Sequence, residues 1–137
     1  MEELTTQDKT LLVKYTGGQE IEQVVSEEVL PELTAIIREL YANAEPVRLY
    51  LEDEALADLL ENATGFGIRF RPPLLLSDSS NTMNYILFLT EGKFSNVTDV
   101  PDVFFLTAID AEELIRSPFM TEGGINRYTR LRELLGL

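Results

Sequence analysis

The spacing of apolar and polar positions changes several times along the chain, and each change predicts an element. Thr10 to Tyr15 reads as a strand, Thr16-Gly17-Gly18-Gln19 supplies the positive-φ freedom of a tight hairpin turn, and a second strand is expected over Glu20 to Val25. Leu30, Leu33, Ile36, Ile37, Leu40 and Tyr41 then recur at three and four, which predicts a helix over 30–41 with one buried face. Pro31 fits only the first turn of that helix. Glu27, Glu28 and Glu32 fall near its start, where the helix dipole favours acids. Asn43 to Pro46 breaks the pattern, and Val47 to Leu51 alternates like a strand with Arg48 and Tyr50 on its opposite face. Asp53 reads as the N-cap of a second helix, with Ala55, Leu56, Leu59 and Leu60 at helical spacing until Asn62 to Gly67 ends the run.

In the second half, Ile68 and Phe70 alternate with Arg69 and Arg71, a strand with one wet face that Pro72-Pro73 stops or forces to an edge before Leu74 to Leu76 resumes pairing. The polar loop Ser77 to Asn81 leads to the strongest strand, Asn84 to Thr90, whose apolar run predicts a central position. Glu91-Gly92-Lys93 turns the chain, Val103 to Thr107 forms another buried strand, and an acidic run from Asp110 predicts a helix through Arg116. After a loop over Phe119 to Gly124, Tyr128, Leu131, Leu134 and Leu135 form the inner face of a last helix from about Asn126 to Leu135. The expectation is one α+β domain over residues 1–137, with the first eight residues as a polar lead. Its core is a mixed, mostly antiparallel sheet flanked by about four helices; a three-layer α/β arrangement is the alternative.

Charge and absent residue types narrow the chemistry. Eleven basic residues stand against 24 acidic ones, a formal net charge of −13, and the imbalance is uneven: residues 1–63 hold 15 acids and 4 bases, residues 64–137 hold 9 and 7. Such a field repels phosphate backbones and attracts basic surfaces, so direct nucleic-acid binding is not expected. With no cysteine and no histidine, disulfides, thiolate nucleophiles, Ser-His-Asp triads and the usual zinc sites cannot be built. The polar start, Met1-Glu2-Glu3-Leu4-Thr5, lacks the basic and then apolar pattern of a signal peptide, and no apolar run approaches membrane-spanning length. A cytoplasmic protein without cofactor is expected. The sequons at Asn62 and Asn96 matter only in a secreted setting and are set aside.

Few constellations could carry a reaction. Asp78 lies before the strongest strand, and Glu91 and Lys93 lie at its end, two apart and so on one face of an extended chain. Two acids and a lysine can hold a divalent ion and orient water. The spacing resembles the acid followed by Glu-x-Lys of the PD-(D/E)xK nuclease superfamily, over about sixteen residues, and this resemblance implies metal-dependent cleavage of nucleic acid. Gly92 stands where that pattern has an apolar strand residue, and a charged β-turn accounts for the same triplet. Glu52-Asp53-Glu54 lacks the spacing and glycine of a calcium loop and is explained by helix capping. Gly17-Gly18 and Gly123-Gly124 match no phosphate-binding fingerprint, and Arg127, Arg130 and Arg132 read as solvated residues of the last helix.

What remains is surface. Glu20, Glu22, Glu28, Glu52, Asp53, Glu54 and Asp58, with Tyr41 and Tyr50 among them, are the candidate partner-binding residues. Carboxylates around aromatic anchors suit capture of a basic protein. The leading expectation is therefore a non-enzymatic inhibitor or immunity-type protein that blocks a nuclease or toxin. An accessory or regulatory subunit whose acidity only confers solubility comes next and a metal-dependent nuclease third; homo-oligomerisation is left open.

Overall fold

The computed structural model describes residues 9–47, 50–76, 81–91, 95–96, 100–111, 113–115 and 117–137. It opens with β1 (Leu11–Thr16) and β2 (Gln19–Val24), joined by Gly17 and Gly18 at φ 53° and 90°. Two successive positive φ values are what a type I′ hairpin turn requires, and the pair sets a register that brings Thr16 opposite Gln19 and Leu11 opposite Val24. There follow α1 (Leu30–Ala42), β3 (Ala44–Pro46), α2 (Asp53–Glu61), β4 (Thr64–Leu75), β5 (Thr82–Glu91), β6 (Val103–Ile109), β7 (Phe119–Thr121) and α3 (Ile125–Leu134). Both α1 and α2 stop at an asparagine: the side-chain amides of Asn43 and Asn62 donate to the carbonyls of Glu39 and Asp58, each at 2.9 Å, and satisfy acceptors that a helix end leaves over.

The strands form one open sheet in the order β2-β1-β4-β5-β6-β7-β3, and every paired neighbour runs antiparallel. About 42% of the described residues are strand and 28% helix. This corrects the expected architecture of about four helices flanking a mixed, mostly antiparallel sheet, since the described residues contain three helices and strand dominates. The α/β alternative fails with it, because parallel strands joined by crossover helices are absent among the named strands.

The missing helix is the one expected over 110–116. Asp110 has φ 55°, and its Oδ1 accepts from the Thr82 amide at 2.8 Å and the Thr82 hydroxyl at 3.3 Å. A left-handed residue whose carboxylate ties the end of β6 to β5 cannot open a helix, and the Ile115 amide returns instead to the Thr107 carbonyl at 2.7 Å. β7 then forms where a loop was expected. β3 forms directly after α1, where a break was expected, and the Val47 amide donates to the Pro118 carbonyl at 2.7 Å. Of the strand expected over 47–51, Arg48 and Leu49 lie outside the described residues, and Val47, Tyr50 and Leu51 belong to no strand. The two segments expected on either side of Pro72-Pro73 are one strand, β4. Its pairing with β5 jumps between Arg69 and Leu74, so the prolines occupy an irregularity in which their missing donors cost no ladder bond. Glu52, with φ −68° and ψ 165°, is the N-cap of α2, and Asp53, expected there, is its first helical residue.

Helices cover both faces of the sheet. Leu12, Phe66, Ile68, Phe88 and Phe105 face Leu33, Ile37 and Leu40 of α1 and Tyr128 and Leu131 of α3. Val13, Tyr15, Tyr85, Leu87, Leu89 and Leu106 face the opposite way, against Leu59 of α2 and Leu51. Burial on both faces explains the unbroken apolar run of Tyr85 to Leu89, which a half-solvated strand would have interrupted. Asn96 is buried: its amide donates to the Phe104 carbonyl at 2.9 Å while its Oδ1 accepts from the Phe104 amide at 2.7 Å, so in this fold the side chain of that sequon is consumed in packing.

Candidate functional site

Among the described residues, acids of the first half separate onto the two sides of the sheet, and for β2 the separation follows from register. In β2, Glu20 and Glu22 stand opposite Tyr15 and Val13, so both carboxylates lie on the side that α2 covers. Arg69 of β4 reaches them across β1. Its Nη1 lies 2.5 Å from Glu22 and its Nη2 3.5 Å from Glu20, while its guanidinium carbon sits 4.8 Å from the Tyr85 ring centroid. One arginine therefore answers two carboxylates. The Tyr85 hydroxyl beneath is buried and has no hydrogen-bond partner among the described residues; burial first, then the charge of Glu20, pushes its pKa well up. The Tyr15 hydroxyl donates to the Leu60 carbonyl at 2.5 Å and clamps β1 to α2; its pKa is raised by burial and then by Glu20.

On the same side, α2 adds Glu52, Asp53 and Glu54 at its N-terminal end, then Asp58 and Glu61, all exposed. The spacing explains this display. Leu59 is buried and Leu56 and Leu60 are half-buried against the sheet, so the acidic positions between them turn outward. Tyr50, just before α2, is 68% exposed. The structure thus brings together seven of the nine candidate binding residues: Glu20, Glu22, Tyr50, Glu52, Asp53, Glu54 and Asp58. Glu28 and Tyr41 stand apart. Glu28 belongs to the turn entering α1, and Tyr41 packs edge-on against Phe119 at 5.7 Å as part of the core's rim.

The α1–α3 side is balanced by contrast. Arg130 forms a two-pronged pair with Glu32, at 2.7 and 2.9 Å, and also meets Glu133 at 3.3 Å; Arg127 pairs with Glu39. Hydrogen bonds from Arg130 hold the Glu32 carboxyl below its usual pKa. Arg127 and Arg130, expected as merely solvated, therefore stitch two antiparallel helices together. Arg127 and Arg130 are thus spent on the acids of the α1–α3 side, while Arg69 serves the opposite side.

Comparison with protein families, curated proteins and solved structures gave no match.

Of the nuclease-like constellation, Glu91 is the exposed last residue of β5, paired with Thr64, whereas Asp78 and Lys93 lie outside the described residues. Among the described residues no group of three or more carboxylates is arranged to hold a metal ion, and no helix is long and apolar enough to cross a membrane. Two surface residues escaped the sequence reading, Ile21 and Val24 of β2, exposed at 68% and 48%. Their apolar character is plain in the chain; that their strand is a sheet edge is not.

Proposed function

We propose that this chain is a non-enzymatic binding protein of inhibitor or immunity type, which neutralises a basic protein such as a nuclease or toxin through the acidic surface of α2 and β2. The observation that carries the reading is the segregation of charge. Glu32 and Glu39 are neutralised across α1 and α3, while Glu20, Glu22, Glu52, Glu54, Asp58 and Glu61 share one side of the sheet, on which, among the described residues, Arg69 is the cation paired with them, at Glu20 and Glu22. A one-sided negative field steers a cationic partner and raises its rate of encounter. Tyr50, an exposed aromatic two residues before Glu52, provides the kind of anchor around which interface energy concentrates. The reading includes a cytoplasmic setting, compatible with a chain that has no cysteine.

Affinity capture from lysate of the source organism tests it, with the native chain, the double reversal Glu52→Lys/Glu54→Lys and the single reversal Glu28→Lys as baits. The native chain and Glu28→Lys are expected to retain a basic protein at low salt and release it at high salt, and the double reversal is expected to lose it, because exposed charges act through a screened field. A neutral partner held equally by all three baits at high salt would overturn the proposal in favour of an accessory subunit.

A further inference from the structure

We propose that the open edge of β2 is where the basic partner docks, by adding an extended segment to the sheet as an eighth strand; the inference rests on the basic-partner reading above. The two ends of the sheet differ. At one end β3 is three residues long and finishes in Pro46, which blunts an edge in the ordinary way. At the other, β2 is six residues long, contains no proline and is exposed at every position.

Its outward hydrogen-bonding groups can be assigned. The Val25 amide donates to the Thr10 carbonyl at 2.9 Å, so Thr10 and Val25 are a hydrogen-bonded pair. Antiparallel ladders alternate, which makes Lys14–Ile21 and Leu12–Gln23 bonded pairs as well. Ile21 and Gln23 thus turn their amides and carbonyls to β1, and Glu20, Glu22 and Val24 turn theirs outward, with no backbone partner among the described residues. A strand laid along β2 meets these groups together with the exposed side chains of Ile21 and Val24.

Charge selects the occupant. A second copy of the chain, paired antiparallel through β2, would set Glu20 and Glu22 against carboxylates of its own kind, a direct like-charge opposition. A strand carrying Lys or Arg at alternate positions sets those cations on the α2 side, where Arg69 brings a single positive charge to the two carboxylates it pairs with and α2 adds more acids. The opposite side excludes cations, because exposed Lys14 stands beside Ile21 there. The matching segment is basic on one face and apolar on the other, and a slip of one residue would put both faces wrong.

The probe is a synthetic peptide of alternating lysine and valine, about eight residues long to match a full strand, titrated into the full chain by calorimetry. Two versions carry N-methyl groups, one on the lysine amides and one on the valine amides. Edge addition predicts that one methylated version binds about tenfold or more weakly while the other binds like the parent, since only one edge of the peptide donates to β2. The lysine set is the sensitive one for antiparallel docking and the valine set for parallel docking. Glu22→Pro, which removes an outward amide at an edge position that tolerates proline, is expected to weaken the parent peptide as well. Equal binding of all three peptides would overturn edge addition and leave the acidic surface as a diffuse electrostatic site. A parent peptide that does not bind, while a salt-sensitive partner is still lost on Glu52/Glu54 reversal, overturns the edge inference alone. Self-association of the chain that Glu22→Pro abolishes would assign the edge to a second copy and overturn it too.

Discussion

Replacing Phe88 with alanine is expected to cost about 3 to 5 kcal/mol of stability, the usual range for a large aromatic removed from a packed core. Phe88 is fully buried in β5, near the middle of the sheet. Its ring stacks on Phe66 at 5.3 Å and meets Tyr128 at 5.5 Å and Phe105 at 5.8 Å, so one side chain joins two neighbouring strands to α3. Truncation leaves a cavity lined by rigid rings that cannot collapse into it, which places the cost toward the upper end. Urea denaturation of the variant beside the native chain measures it. A loss below about 1 kcal/mol would mean that α3 is not seated on this cluster.

Gly65→Ala is the second severe change, and its cause is backbone. A Cβ on Gly65 would lie 2.1 Å from the Phe88 carbonyl oxygen and 2.8 Å from the Leu89 Cα, so β4 and β5 would have to part at the register shift beside Thr64. A loss of about 3 kcal/mol is expected, at the high end of overpacking costs. Gly67→Ala serves as the internal comparison. There the obstruction is the Tyr85 ring, with its hydroxyl at 2.5 Å, and a side chain can swing aside where a backbone cannot. Thermal unfolding should therefore rank Gly65→Ala well below Gly67→Ala, and the reverse order would contradict the packing of β4 on β5 described here.

Much of the fold was legible where a single physical requirement dominated. The Gly17-Gly18 pair announces a hairpin because few other residues take two positive φ values in succession, and the three-and-four spacing of Leu33, Ile36, Ile37 and Leu40 announces α1 because a buried stripe has no other cause. The failures arose where a residue had two uses. Asp110 followed by further acids is the pattern of a helix start, yet its carboxylate is claimed by Thr82, seated far away in sequence. Pro72-Pro73 ought to end a strand, yet a register shift absorbs both prolines. For the site, sequence showed how many carboxylates there are but not which ones are cancelled. The pairing of Glu32 and Glu39 with Arg130 and Arg127 spans 98 and 88 residues, and no local pattern reveals it. The exposed edge at β2 was hidden for the same reason, since strand order is a property of the whole sheet.

The central claim is that one side of the molecule is a docking surface for cationic protein and the other is not. An NMR titration of the isotope-labelled chain with oligolysine at low salt tests this most directly, because it reports every amide separately. The account predicts salt-reversible shifts concentrated at residues 19–24 and 50–61, with α1 and α3 nearly unmoved. Shifts spread evenly over all exposed acids, or centred on Glu32 and Glu39, would contradict it.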